Sequence, residues 1–252
     1  MSGGLLASEI TVRYGSHTAV DRVSVRVDPG RVVGLIGPNG AGKTSFIDAV
    51  TGITPMAGGT VMLDDVDVTR WPPHRRARQG VRRTFQGNRL FDDLTVRENL
   101  IVASETTRRF GFVRDLFRPQ PSQVSADQIL EMIGLSDLAE ALPRSLPAGT
   151  RRLVGVARAL VARPRVVLLD EPAAGLDSHE TQELGRILRD LAATGVGLLL
   201  VEHDTDLVFR ICDEVVAIDF GNTIASGPAH EVRSSEAVIA AYLGTAETEG
   251  SS

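Results

Sequence analysis

Three short stretches carry side chains whose types and spacing suit chemistry on a phosphate. The first is Gly37-Pro38-Asn39-Gly40-Ala41-Gly42-Lys43-Thr44, which fits G-x-x-x-x-G-K-[ST] and leads into Ser45. Glycines there let backbone N–H groups turn inward around phosphate oxygens, and a following helix aims the positive end of its dipole at them. Lys43 is the single lysine among 27 Lys and Arg residues. A compact ammonium on a thin stem reaches between the β- and γ-phosphates of a nucleotide, whereas a planar guanidinium needs a wider slot. At about 4 Å and an effective dielectric near 20, such a pair is worth about 4 kcal/mol before desolvation. Thr44 offers a hydroxyl to Mg²⁺.

The second stretch, "RVVLLDEP", ends an apolar run in Asp170 and Glu171. A carboxylate at the carboxyl end of a strand, facing a phosphate loop, can orient Mg²⁺ and its waters, and Asp170 takes that role. Glu171 points elsewhere and can hold and polarise an attacking water. The third, "VEHD", ends another apolar run. Its His203 can touch a γ-phosphate or the water, although a lone strand-end histidine is more often structural.

Such groups must be held by buried elements. Arg31–Ile36, Arg165–Leu169 and Gly197–Val201 are short, apolar and β-branched or leucine-rich, which predicts parallel strands covered on both faces. Helical patterns over Thr44–Val50, Thr150–Val161 and His179–Ala193 lie between them, so the expectation is a layered α/β fold with functional loops at strand carboxyl ends. The first part, Leu5–Val68, alternates in short runs and predicts an antiparallel edge sheet. From about Gly87 to Leu146 the strand signal fades into a mostly helical region with a loop over Arg118–Ser125. The polar end, "AETEGSS", reads as disordered.

The 252 residues can bury a large core, and a net charge of −5 argues weakly against a general nucleic-acid binder. A lone cysteine, Cys212, excludes an internal disulfide and reads as core. "MSGGLLASEI" lacks the pattern of a secretory signal, and no apolar run approaches the roughly 18 residues of a membrane span, so a water-soluble chain is expected. "HRRARQGVRR" (His74–Arg83) has no interleaved aromatic residues for base stacking and reads as the solvated face of a short helix. Phe110, Phe112 and Phe117 cluster in Arg108–Gln120 and suit either a partner surface or a local core.

Together these residues resemble the ATP-binding subunits of ABC transporters, from about Leu5 to Gly244. The resemblance implies an α/β P-loop NTPase core of the ABC ATPase kind with an antiparallel β edge sheet and a helical subdomain. It divides a single domain into a nucleotide-binding core (1–86 and 153–244), a helical subdomain (about 87–152) and a tail (245–252). It also implies MgATP as cofactor. Tyr14 in "TVRYGSHTAV" matches an aromatic that stacks on adenine. Gln86 in "RRTFQGNRLF" matches a glutamine that senses the γ-phosphate, its metal and the membrane partner. Asp177 in "AAGLD" matches an aspartate that couples two nucleotide sites, and His203 matches a γ-phosphate sensor. Finer likeness to branched-chain amino acid importer ATPases lies in Pro72–Ala103, Leu168–Asp177 and Ala237–Gly244.

That likeness implies a peripheral subunit on the cytoplasmic face of the cell membrane. Its implied partners are transmembrane permease subunits and a second ATPase subunit, in a heterodimer or a homodimer, with no nucleic acid. The alternatives are a soluble ABC ATPase acting on nucleic acid or ribosomes, and a low-turnover nucleotide-gated module. One stretch departs from the family. The usual Leu-Ser-Gly-Gly-Gln signature, which closes over ATP bound by the other subunit, is here Leu146-Pro147-Ala148-Gly149-Thr150. A helix starting at Thr150 would keep its dipole there, but Pro147 removes a hydroxyl and an N–H. Losing a hydrogen bond to a charged group costs about 1.5–3 kcal/mol. The site using this stretch is therefore expected to hydrolyse poorly.

Overall fold

The computed structural model describes residues 3–84, 90–105 and 125–246. Two sheets lie at its centre. Strands β1 (Leu5–Tyr14), β2 (His17–Val27), β4 (Gly58–Leu63) and β5 (Val66–Asp67) form an antiparallel sheet in the order β2-β1-β4-β5, as the alternation in this region predicts. The second sheet contains β3 (Val32–Ile36), β6 (Val81–Arg83), β7 (Val166–Asp170), β8 (Gly197–Val201), β9 (Glu214–Asp219) and β10 (Asn222–Pro228) in the order β10-β9-β3-β8-β7-β6. Its pairs are parallel except β9 with β10.

The three expected parallel strands are therefore half of a six-stranded sheet. They were legible because both faces are covered. Val33, Leu35, Val166, Leu168, Leu199 and Val201 join a core shared with the antiparallel sheet and helix α1 (Lys43–Thr51). The alternate residues Val32, Ile36, Val167, Leu169, Leu198 and Leu200 face a core built with helices α5 (Ala148–Leu160) and α6 (Ser178–Ala193). Helices α3 (Val96–Glu105) and α4 (Ala126–Met132) add Val96, Leu100, Ile129 and Leu130 to that core.

The region His74–Arg83 bears out the expected short helix, with His74, Arg75 and Arg78 exposed, but corrects it at Arg76 and in the strand that follows. It forms helix α2 (Pro73–Gln79) and then β6, and Arg76 is only 2% exposed. Its guanidinium donates to the carbonyls of Ala49 at 2.9 Å, Val50 at 2.6 Å, Thr69 at 2.6 Å and Trp71 at 3.0 Å. Two of these belong to the last turn of α1, whose carbonyls need donors from outside the helix. Arg76 is therefore a side-chain cap on the helix that Lys43 begins, and Arg75 stacks its guanidinium 3.8 Å from the Trp71 ring centre.

Two boundaries also move. Helix α5 begins at Ala148 rather than Thr150 and runs unbroken across the expected division at 152–153. Helix α8 (Ala229–Arg233) follows β10, and helix α9 (Glu236–Ala246) continues two residues into the tail at 245–252 that was expected to be disordered. Helix α7 (Thr205–Ile211) leads from β8 to Cys212, which is buried as expected; burial raises the pKa of its thiol. Among the described residues no helix is long and apolar enough to cross a membrane.

Candidate active site

Four parallel strands, β3, β8, β7 and β6, stand side by side and deliver their carboxyl ends to one edge. Leu35, Val201 and Asp170 are register partners across the first three. The loop after β3 carries the glycine-rich stretch, His203 follows β8, Asp170 and Glu171 end β7, and Arg83 ends β6. Ligands of open α/β sheets bind at such an edge.

At two glycines of the loop Gly37–Gly42, Gly37 and Gly42, the backbone packs too closely for a side chain. A Cβ on Gly42, whose φ is 105°, would come 2.4 Å from the Ala19 carbonyl oxygen. Lys43 opens α1 and is buried. Its Nζ donates to the carbonyls of Gly37 at 2.6 Å and Pro38 at 2.9 Å. Burial lowers the pKa of the ammonium, and the carboxylates of Glu171 and Asp170 act to raise it. Asn39, Gly40 and Thr44 are exposed, Pro38 is half-buried and Ala41 is buried. Tyr14, at the end of β1 and 49% exposed, lies over the same turn, its hydroxyl 3.5 Å from Ser45 Oγ.

Asp170 and Glu171 are neighbours that part company. Glu171 has φ 49°, a left-handed conformation that costs a non-glycine residue about 1–3 kcal/mol and clusters at functional sites. Its N–H still bonds the Val201 carbonyl at 2.8 Å, but its carboxylate reaches across to β8, where Oε1 lies 2.9 Å from His203 Nε2. Asp170 turns the other way, to β6. Arg83 Nη2 donates to its Oδ2 at 2.8 Å, and its own N–H donates to Thr84 Oγ1 at 3.3 Å.

Among the described residues, Asp170 Oδ1 is buried without a hydrogen-bond partner. A buried acceptor left unsatisfied costs about 1–3 kcal/mol, so it marks a place for a donor or a cation. Among the described residues no three His, Cys, Asp or Glu side chains are placed to hold a metal. One free carboxylate oxygen and one exposed hydroxyl at Thr44 suit Mg²⁺, which keeps its waters and binds through a carboxylate and substrate phosphates.

Two residues missed in the sequence belong to this edge. Glu202 is 2% exposed and accepts from the N–H groups of Ala173 at 2.5 Å and His203 at 3.1 Å. It thereby ties the loop after Glu171 to the backbone of His203. Burial raises the pKa of its carboxyl, opposed by those backbone bonds. An acid between an apolar strand and a histidine was the available signal. Tyr242, on α9, is the other. Burial raises the pKa of its phenol, and a backbone bond to Gly37 works against that rise.

The remaining candidates lie apart from this cluster or outside the described residues. Asp177 is the N-cap of α6, accepting from His179 and Glu180 N–H at 2.8 Å each, while Glu180 reaches back to the Asp177 N–H at 3.0 Å. That capping box was readable from the spacing Asp177-x-x-Glu180. In the stretch Leu146–Thr150, Leu146 and Thr150 are half-buried, Pro147 and Ala148 exposed, and Gly149 buried. A Cβ on Gly149 would come 2.5 Å from Leu176 Cδ2 and 3.1 Å from Glu180 Oε1. Gln86 and the segment Arg108–Gln120 fall outside the described residues.

A loop of glycines and one lysine, an acid pair and a histidine at one sheet edge define a phosphate-loop ATPase. The ABC transporter family model matches residues 20–174, and a branched-chain amino acid ATP-binding cassette transporter model matches residues 222–248. The chain is 39% identical to the high-affinity branched-chain amino acid transport ATP-binding protein BraF of Pseudomonas aeruginosa, over 96% of this chain and 98% of that one. It is 35% identical to the lipopolysaccharide export system ATP-binding protein LptB of Haemophilus influenzae, over 95% and 97%. The crystal structure of the ADP conformation of MJ1267, an ATP-binding cassette of an ABC transporter, superposes with a TM-score of 0.85 at 29% identity, covering 97% of this chain and all of that one. The chain belongs to the ABC transporter ATP-binding family, and it is an ATP-binding, ATP-hydrolysing subunit of that kind.

Proposed function

We propose that this chain is an ATPase subunit of an importer for branched-chain or other hydrophobic amino acids. It lies on the cytoplasmic face of the membrane with transmembrane permease subunits and a second, distinct ATPase subunit. Residues 1–86 and 153–244 form the nucleotide-binding core, and 87–152, now including the start of α5, the helical subdomain. Support for the cargo comes from likeness to BraF over nearly the whole chain and from the second family match at 222–248.

Phosphoryl transfer to water needs positioning and charge stabilisation more than covalent chemistry. Tyr14 stacks on adenine, and the amides of residues 37–45 with Lys43 grip the phosphates. Asp170 and Thr44, with Gln86, would hold Mg²⁺, which when bound would supply positive charge at the phosphate oxygens. Glu171 orients and polarises the attacking water, and His203 steadies Glu171 while reaching the γ-phosphate. The observation that carries this reading is the 2.9 Å contact between Glu171 and His203 beside the buried Lys43. Asp177 and Leu146–Thr150 serve the dimer, the latter over nucleotide bound by the second subunit.

Likeness to LptB favours a second reading, an export subunit. Purification of the tagged chain with its permease, and then uptake of labelled leucine into vesicles carrying that complex, separates the two. ATP-dependent accumulation supports the importer; a complex that turns over ATP without moving amino acid overturns it.

A further inference from the structure

Resting on the assignment of Asp170 to the metal, we propose that Arg83 is its positioning residue. Braced by Asp48, the Arg83 guanidinium fixes one oxygen of the Asp170 carboxylate and leaves the other for the divalent cation. Three observations meet here. Arg83 is buried, its side chain 8% exposed, at the carboxyl end of β6 next to β7. Its two terminal nitrogens are divided between two acids: Nη1 pairs with Asp48 Oδ1 on α1, and Nη2 donates to Asp170 Oδ2 at 2.8 Å. Asp170 Oδ1, the oxygen Arg83 does not take, is buried and has no hydrogen-bond partner among the described residues.

A carboxylate is planar, so fixing Oδ2 fixes the direction of Oδ1. Without Arg83 the group could rotate and swap its oxygens, or draw back from a site it must share with Glu171 one residue away. A planar fork suits the task because it meets two carboxylates with two separate N–H groups, which a single ammonium cannot do in the same geometry. The clamp ties together three pieces of the site: α1, which Lys43 begins; β7, which ends in Asp170; and β6, whose chain reaches Gln86 three residues after Arg83. Thr84, between them, accepts the Asp170 N–H. Reading this arginine as a solvent-facing charge hid the arrangement.

The test is Mn²⁺ binding, read by electron paramagnetic resonance on the full chain with a non-hydrolysable ATP analogue. Binding of the same analogue in EDTA is measured in parallel. Arg83→Met is expected to weaken Mn²⁺ binding about tenfold, as loss of outer-shell partners does. Arg83→Lys and Asp48→Asn are expected to weaken it less, and metal-free nucleotide affinity to stay within about twofold of the parent for all three. Unchanged Mn²⁺ affinity in Arg83→Met overturns the proposal. So does an equal loss of metal-free nucleotide affinity, which would mean a merely structural ion pair. If Arg83→Met does not fold, Arg83→Lys and Asp48→Asn decide by the same two readings. Asp170→Asn separates the premises: no effect on Mn²⁺ sinks the assignment of Asp170, whereas an effect there with none in Arg83→Met sinks only the role of Arg83.

Discussion

The sheet edge and the stretch Leu146–Thr150 are both candidates for contact with nucleotide, yet they are built in opposite ways. At the edge, Lys43 and Asp170 are buried; Lys43 is held by carbonyls of its own loop, Asp170 by Arg83 of the next strand, and Glu171 by His203 after another. In the stretch, Pro147 and Ala148 are exposed, and α5 starts without any side-chain cap. Leu146 packs against the helix-side core, and Gly149 is held against Leu176 and Glu180 of the same chain. The part of a site that is built inside one chain can carry preorganised charge. A surface that waits for a second subunit presents backbone and small side chains, and its own packing is directed inward, toward the loop that carries Asp177.

Glu171→Gln gives the largest effect if that contrast is right. Loss of the carboxylate proposed to polarise the water is expected to cut turnover about a thousandfold, some 4 kcal/mol of barrier, with ATP binding retained. Phosphate release and nucleotide binding, measured on the same preparation, check it. Made separately in this chain and in a second ATPase subunit of the assembled complex, the change also tests asymmetry. Equal losses from the two would end the idea that the site using Leu146–Thr150 hydrolyses poorly.

The next largest concerns stability rather than chemistry. Arg76→Ala leaves four carbonyls, two buried and two partly buried, without their charged donor and uncaps α1 behind Lys43. Hydrogen bonds to charged groups are individually strong, so a loss of about 3 kcal/mol is expected in urea unfolding. A change within about 0.5 kcal/mol, the range of ordinary surface substitutions, would return Arg76 to the solvated face that the sequence suggests.

That mistaken expectation shows where sequence legibility stopped. Strands β3, β7 and β8 were readable because both faces are buried and the residues are apolar, save Asp170 at the end of β7. Strand β6 was not, because two of its three residues are arginines, and β10 was not, because four of its seven residues are exposed and it holds no run of apolar residues. Charge in a sequence says nothing of whether carbonyls or carboxylates await it inside, and for Arg76 and Arg83 they do. The phosphate loop was legible down to single residues, since its glycines are demanded by local backbone geometry. The start of α5 was misread by two residues. Threonine suits a helix start, whereas the true N-cap is Pro147, which contributes no capping side chain.

Pro147→Ser sharpens the comparison from the other side. A serine there supplies the missing cap, worth about 1 kcal/mol of stability. In the proposed dimer it also places a hydroxyl on the surface that would face a neighbouring subunit's nucleotide. Thermal unfolding of the chain and turnover of the assembled complex are expected to rise together. A gain in stability without a gain in turnover would confine Pro147 to the helix it precedes.

Glu202→Gln is expected to give the smallest effect, and its sign is fixed by linkage. Burial raises the carboxyl's pKa in the folded chain, so between the ordinary glutamate value and the raised one the folded state binds more protons than the unfolded state. Stability therefore falls as pH rises through that window. Glutamine removes the titration but keeps one oxygen for the N–H groups of Ala173 or His203. Unfolding free energies taken from about pH 5 to about pH 8 are expected to fall less steeply in the variant than in the parent. A steeper fall in the variant would mean that the two backbone bonds outweigh desolvation at Glu202 and that its carboxylate is native to the fold. The tie between the loop after Glu171 and His203 would then be held by charge as well as by shape.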